Sequence, residues 1–201
     1  MRKLRDIKKI FYIFLIIFLS FILIKKYLFY SILKDNHLPK NLKLQNGDII
    51  LRKESNRISD LFAAINNSEY SHIGTFLFIK NKPKIVHIED DDYSNDYKIS
   101  SPLKFMKYAS HYAIYRPKNK INKERLFSII TLIKTKNPSF DINFKGDNND
   151  NKLYCTELAY IINKNATLVD IKPKIETYIN YKYISINSFT NKKYFKLLYI
   201  F

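Results

Sequence analysis

At 201 residues the chain has room for one domain and an appendage, but not for two full domains. Hydrophobic residues make up 46% and aromatic residues 15%, enough for a packed core, which excludes disorder over most of the length. Lysine and arginine number 35 against 18 acidic residues, a formal charge of +17. The lysines are scattered rather than gathered in a stripe, and no zinc-finger, RRM-like or KH-like signature accompanies them. Specific nucleic-acid binding is therefore set aside in favour of attraction to an anionic membrane or wall surface.

The first element is an apolar run from Ile10 to Ile24, broken only by Ser20, preceded by Arg2, Lys3, Arg5, Lys8 and Lys9 and closed by Lys25 and Lys26. The run is short for a hydrocarbon core of about 30 Å, but Tyr27 to Leu33 can lengthen it while the two lysines snorkel. No small-x-small cleavage site follows, so a signal anchor over 1–34 is expected, with a cleaved signal as the alternative. The charge asymmetry predicts a cytoplasmic amino terminus and an extracytoplasmic remainder. Residues 35–45 read as a polar linker and 46–201 as the domain.

Within the domain, Gly47 to Arg52 predicts a first strand and Ile58 to Ile65 a helix. Runs rich in β-formers, His72 to Ile79 and Lys84 to Glu89, flank Lys80-Asn81-Lys82-Pro83 and predict a hairpin with a four-residue loop. Ser101 to Tyr108 predicts a short helix with Pro102 in its first turn, and His111 to Arg116 a strand stopped by Pro117. A helix is expected over Lys123 to Lys136, then a polar loop from Phe140 to Lys152 and a helix from Cys155 to Asn163. Aromatic-rich strand and turn follow from Tyr181 to Phe201. This order gives an α+β fold with a central antiparallel sheet packed against helices. The scarce glycines Gly47, Gly74 and Gly146 mark positions of conformational need.

The chemistry-bearing residues follow from this layout. A four-residue loop puts Glu89 opposite Gly74 and makes His72 its diagonal neighbour on the same face, roughly 7–8 Å away at the backbone. Gly74 then leaves room for a carboxylate-to-imidazole contact. The only cysteine, Cys155, opens an amphipathic helix carrying Leu158, Ile161 and Ile162. A helix amino terminus favours the thiolate, and a thiol nucleophile needs a base that a third group orients. His72 and Glu89 supply that pair. His87 shares the face of Glu89 and is the alternative third member. A metal site from His72, His87 and Glu89 is conceivable, but a cysteine-led helix argues for nucleophilic chemistry, so neither metal nor cofactor is expected.

Gly47-Asp48-Ile49-Ile50-Leu51, Ser71-His72-Ile73-Gly74, Ile85-Val86-His87-Ile88-Glu89 and, most specifically, Tyr154-Cys155-Thr156-Glu157-Leu158 resemble the permuted papain-like, NlpC-type cysteine hydrolases of the YiiX/YebB-like group. The resemblance spans roughly 44–200. It implies a circularly permuted papain-like fold, with Cys155 as nucleophile, His72 as base, Glu89 as orienting acid and Tyr154 lining the oxyanion or substrate region. His87 departs from the group's usual aromatic or aliphatic residue, and related acyltransferases of the lecithin:retinol type use a second histidine as third member. The expected activity is hydrolysis of an amide in a cell-envelope peptide. A lipid or lipoprotein acyl hydrolase or acyltransferase is the runner-up, and a non-catalytic membrane-surface binding module a third reading. The oligomeric state is left open.

Overall fold

The computed structural model describes residues 12–25, 38–39, 41–90, 97–144, 151–178 and 181–201. The chain divides into two units, Met1–His37 and Leu38–Phe201. The described part of the first is one helix, α1 (12–25), whose residues are all exposed. Among the described residues no helix is long and apolar enough to cross a membrane. The rest of the expected anchor, 1–11 and 26–34, lies outside the described residues, as does Gly146.

Six strands build the sheet of the second unit: β1 (Ile49–Glu54), β2 (His72–Ile79), β3 (Lys82–Ile88), β4 (Tyr97–Ser100), β5 (Ala109–Pro117) and, at the end of the chain, β10 (Phe195–Ile200). Their order is β10-β5-β1-β2-β3-β4, and every pairing is antiparallel. The helices of the unit are α2 (Arg57–Ile65), where one was expected, α3 (Pro102–Met106), α4 (Lys123–Lys136) and α5 (Cys155–Thr167). Asn122 and Ser101 start α4 and α3 by accepting the N–H of Arg125 and Lys104 respectively. Asn137, in the left-handed region, ends α4. The expected polar loop after α4 contains a short parallel pair, β6 (Ser139–Phe140) with β7 (Lys152–Leu153); α5 continues to Thr167, beyond the expected Asn163, and an antiparallel pair, β8 (Ile175–Tyr178) with β9 (Tyr181–Ile184), follows it.

Alternation along the strands separates two cores. Ile50, Phe76, Ile85, Tyr112 and Ile114 pack with Phe105 and Met106 of α3 on one face. On the other, Ile49, Leu51, Ile73 and Ala113 meet Ala159 of α5, while Leu77, Val86 and Ile88 meet Leu126, Ile130, Ile133, Leu158 and Ile162 of α4 and α5. Leu38, Leu42 and Leu44 of the expected linker pack against the α3-side core.

The hairpin differs from expectation in one respect that matters for the site. Its turn has two residues, not four. Lys80 and Asn81 both take positive φ, 49° and 62°, the backbone of a tight turn whose twist matches the strands. Ile79 therefore pairs with Lys82 and Phe78 with Pro83. Pro83 is tolerated because β4 pairs only with Ile85 to Ile88, leaving that end of β3 without a neighbour on its outer side. The register moves by two residues, and an even shift keeps every side chain on its face. Continued along the strands, it sets His72 across from Glu89 and Gly74 across from His87.

Candidate functional site

Arg52 and His72 are cross-strand partners on β1 and β2, and His87 is paired with Lys98 on β3 and β4. Period two puts Arg52, His72, His87, Glu89, Lys98 and Ser100 on the face covered by α3. Their heads converge. His72 Nε2 lies 3.2 Å from His87 Nδ1 and 3.4 Å from Glu89 Oε2, and His87 Nδ1 is 3.7 Å from the same oxygen. On its far side His87 Nε2 stands 2.9 Å from Ser100 Oγ. If the ring donates there, its Nδ1 presents a lone pair to His72.

Arg52 holds the carboxylate in place. Its Nη2 is 2.6 Å from Glu89 Oε2 and 2.8 Å from Glu54 Oε1, Nη1 donates to the Phe105 carbonyl, and the guanidinium lies 4.4 Å from the Phe105 ring centre. Phe105 also stacks on His72 and meets His87 edge-on, at centroid distances of 5.4 and 4.9 Å. Lys98 Nζ adds a longer contact of 3.8 Å to Glu89 Oε1. Burial, then the positive charge of Arg52, then His87 and Lys98, hold the His72 imidazole well below its ordinary pKa, so it is neutral at pH 7.

Cys155 enters from the other side. It is half-buried against the two cores that α5 helps to form, and its thiol interacts with the backbone of Ile73, the residue after His72. The β2–β3 pairing ends at Thr75 with Val86, although β2 runs back to His72 and β3 on to Ile88. Burial pushes the thiol up to about 12, partly offset by hydrogen bonding from the backbone at Ile73, Thr156 and Cys155; the charge of Glu89 adds to the rise. The helix-start geometry expected for Cys155 is present, yet burial outweighs the stabilisation of a thiolate. His72 turns Nε2 toward Glu89 and His87, and among the described residues no hydrogen bond joins the thiol to either imidazole.

Both candidates for a third member, Glu89 and His87, thus reach the same nitrogen of His72. Gly74 does not hold open the space expected for them: an added Cβ would overlap the Ile85 side chain and come 3.2 Å from the Phe105 ring. The glycine admits the core beneath the site. Tyr154 is buried, and its hydroxyl accepts the Ile184 N–H at 3.0 Å, which ties the ring to the segment after α5 and leaves its own O–H as a donor.

Sequence reasoning passed over Arg52, Lys98 and Ser100. Arg52 left a readable trace, a cation one period from Ile50 inside an apolar strand; Ser100 did not, because β4 was not foreseen. The metal site that was set aside also has its donors together: one atom each from His72, His87 and Glu89, all within 4.8 Å of one another. A tetrahedral ion with bonds of about 2.0–2.1 Å keeps its donors about 3.3–3.4 Å apart, the scale of the three separations here, so the residues fit such an ion.

The family model described as permuted papain-like amidase enzyme, YaeF/YiiX, C92 family, matches residues 43–189. Among solved structures, the fold is similar to that of the metalloprotein yiiX from Escherichia coli O157:H7. The TM-score is 0.65 at 14% sequence identity, over 79% of this chain and 98% of that one. No curated protein matches the chain.

Proposed function

The chain belongs to the permuted papain-like amidase family YaeF/YiiX, C92, and is a cysteine hydrolase of the amidase type; from that premise we propose that Cys155, His72 and Glu89 cleave an amide in a cell-envelope peptide. The observation that carries this reading is the thiol lodged against the Ile73 backbone at the start of α5, one residue along β2 from a neutral imidazole backed by a carboxylate.

His72 Nε2 faces Glu89 and His87, so Nδ1 is the nitrogen left to take the proton of Cys155 Sγ. In a resting structure such a contact is often long and tightens with substrate. The thiolate, steadied by backbone hydrogen bonding at the helix start, attacks the carbonyl carbon to give a tetrahedral oxyanion. Collapse breaks the C–N bond, and the imidazolium returns its proton to the leaving amine. Water, deprotonated by the same imidazole, then cleaves the thioester and regenerates the thiol. Glu89 supports the step in which His72 is charged, and Arg52 keeps that carboxylate from turning away.

The basic, apolar amino-terminal segment supports a membrane anchor, with the domain outside the membrane and a wall peptide within reach. Incubating the full chain with muropeptides and with detergent-dispersed phospholipid tests the substrate class. Release of a new amine from muropeptide, abolished in Cys155→Ala and His72→Ala, is expected; release of fatty acid alone transfers the reading to lipid acyl groups. Turnover of neither substrate by the folded protein removes the proposal.

A further inference from the structure

We propose that His72, His87 and Glu89 form a three-ligand site for a divalent ion of the zinc class. The site goes beyond the hydrolase reading; it shares His72 and Glu89 with that reading but needs neither Cys155 nor a substrate, so either can fail alone. Its donors are two imidazole nitrogens and a carboxylate oxygen, a set that zinc, cobalt and their neighbours accept and magnesium does not favour. The separations of 3.2, 3.4 and 3.7 Å match the edges of one face of a coordination tetrahedron, and leave further positions for water or another ligand.

The surroundings have the features of a prepared site. His87 is 1% exposed, and its Nε2 is engaged by Ser100 Oγ at 2.9 Å, the outer contact that fixes which ring nitrogen faces inward. His72 is fixed by stacking on Phe105. Glu89 is held by Arg52, 2.6 Å from Oε2, with Lys98 3.8 Å from Oε1; an ion takes this oxygen in competition with the guanidinium and against both positive charges. The rival account of the same distances is a plain hydrogen bond between the two imidazoles. The two differ in what cobalt does.

The test uses the full chain in detergent, stripped with a chelator and titrated with cobalt(II). A visible absorption band that saturates at one equivalent and is displaced by zinc is expected, together with a higher Tm in saturating zinc. Glu89→Gln and His87→Ala weaken binding at least about tenfold, and Ser100→Ala by roughly ten- to a hundredfold, while His111→Ala and Cys155→Ser leave it unchanged. His87 is buried and its variant can misfold; Glu89→Gln keeps the shape, and its metal-free melting curve shows whether the domain is intact. Absence of the band in the parent overturns the site and leaves the imidazole hydrogen bond. A band that survives Glu89→Gln, or one lost in Cys155→Ser, overturns the assignment of these three ligands.

Discussion

The thiol of Cys155 gives the sharpest quantitative expectation. With its pKa pushed up to about 12, against an ordinary value near 9.0, the thiolate population at pH 7 falls to about one in 10⁵. Alkylation by iodoacetamide runs through the thiolate, so the folded protein should react about 1,000-fold more slowly than a free thiol at the same pH. Between pH 7 and 10 the rate should climb close to tenfold per unit without a plateau. Mass spectrometry of the labelled chain gives these rates, and circular dichroism at each pH confirms that the fold persists. The stability linkage has a definite sign: the folded pKa lies above the unfolded one, so below about pH 9 the unfolded and folded states bind the same proton and nothing is lost. Above that, the unfolded chain releases its proton first, and stability falls as pH rises toward 12. Cys155→Ser should remove this alkaline loss. A labelling rate already at its plateau below pH 8 would mean a preformed thiolate–imidazolium pair, and the resting arrangement described here would be wrong.

Three substitutions probe the remaining arguments. Gly74→Ala forces a methyl into Ile85 beneath the site and should cost about 1–3 kcal/mol by urea denaturation. A cost near zero would show that the core has slack there. Tyr154→Phe removes the hydroxyl that accepts from Ile184 and should cost about 1 kcal/mol while leaving the Cys155 alkylation rate unchanged, whereas a changed rate would show that the hydroxyl acts on the thiol. Arg52→Met takes from Glu89 its closest cation and should cost about 2–3 kcal/mol, measured in the same way. Unaltered stability would show that Lys98 and the histidines suffice to compensate the carboxylate.

Much of the fold could be read because its segments are locally consistent. The span His72–Ile79 and the span Lys123–Lys136 are the same in sequence and structure, the first bounded by turn residues and the second by an Asn that caps it. The hairpin turn was misjudged because Pro83 looks like a loop residue. Its missing N–H matters only where a neighbouring strand needs it, and β4 stops short of it. The error did no harm to the grouping of His72 and Glu89, because the displacement was even; an odd one would have sent them to opposite faces. Side-chain alternation is thus more robust than exact pairing as a guide to which residues can meet.

The role of Gly74 and the engagement of Cys155 were not legible, and for a shared reason. Each depends on which of two faces the covering helix chooses, and period two is silent on that. α3 covers the face with the histidines, and α5 covers the other, so the thiol meets β2 at the Ile73 backbone instead of across the face that carries His72. This division bears on both proposals. An imidazole that binds an ion through Nε2 carries its remaining proton on Nδ1, the side left for the thiol, and cannot then act as a base toward Cys155. One histidine therefore cannot serve both chemistries at once. If both proposals hold, zinc should slow amide turnover in the parent, and chelation should restore it, with the half-inhibitory concentration tracking the cobalt-site affinity across the Ser100→Ala variant. Inhibition that keeps its parent value when Ser100 is removed would place the inhibiting ion elsewhere, with the thiol itself as the first alternative.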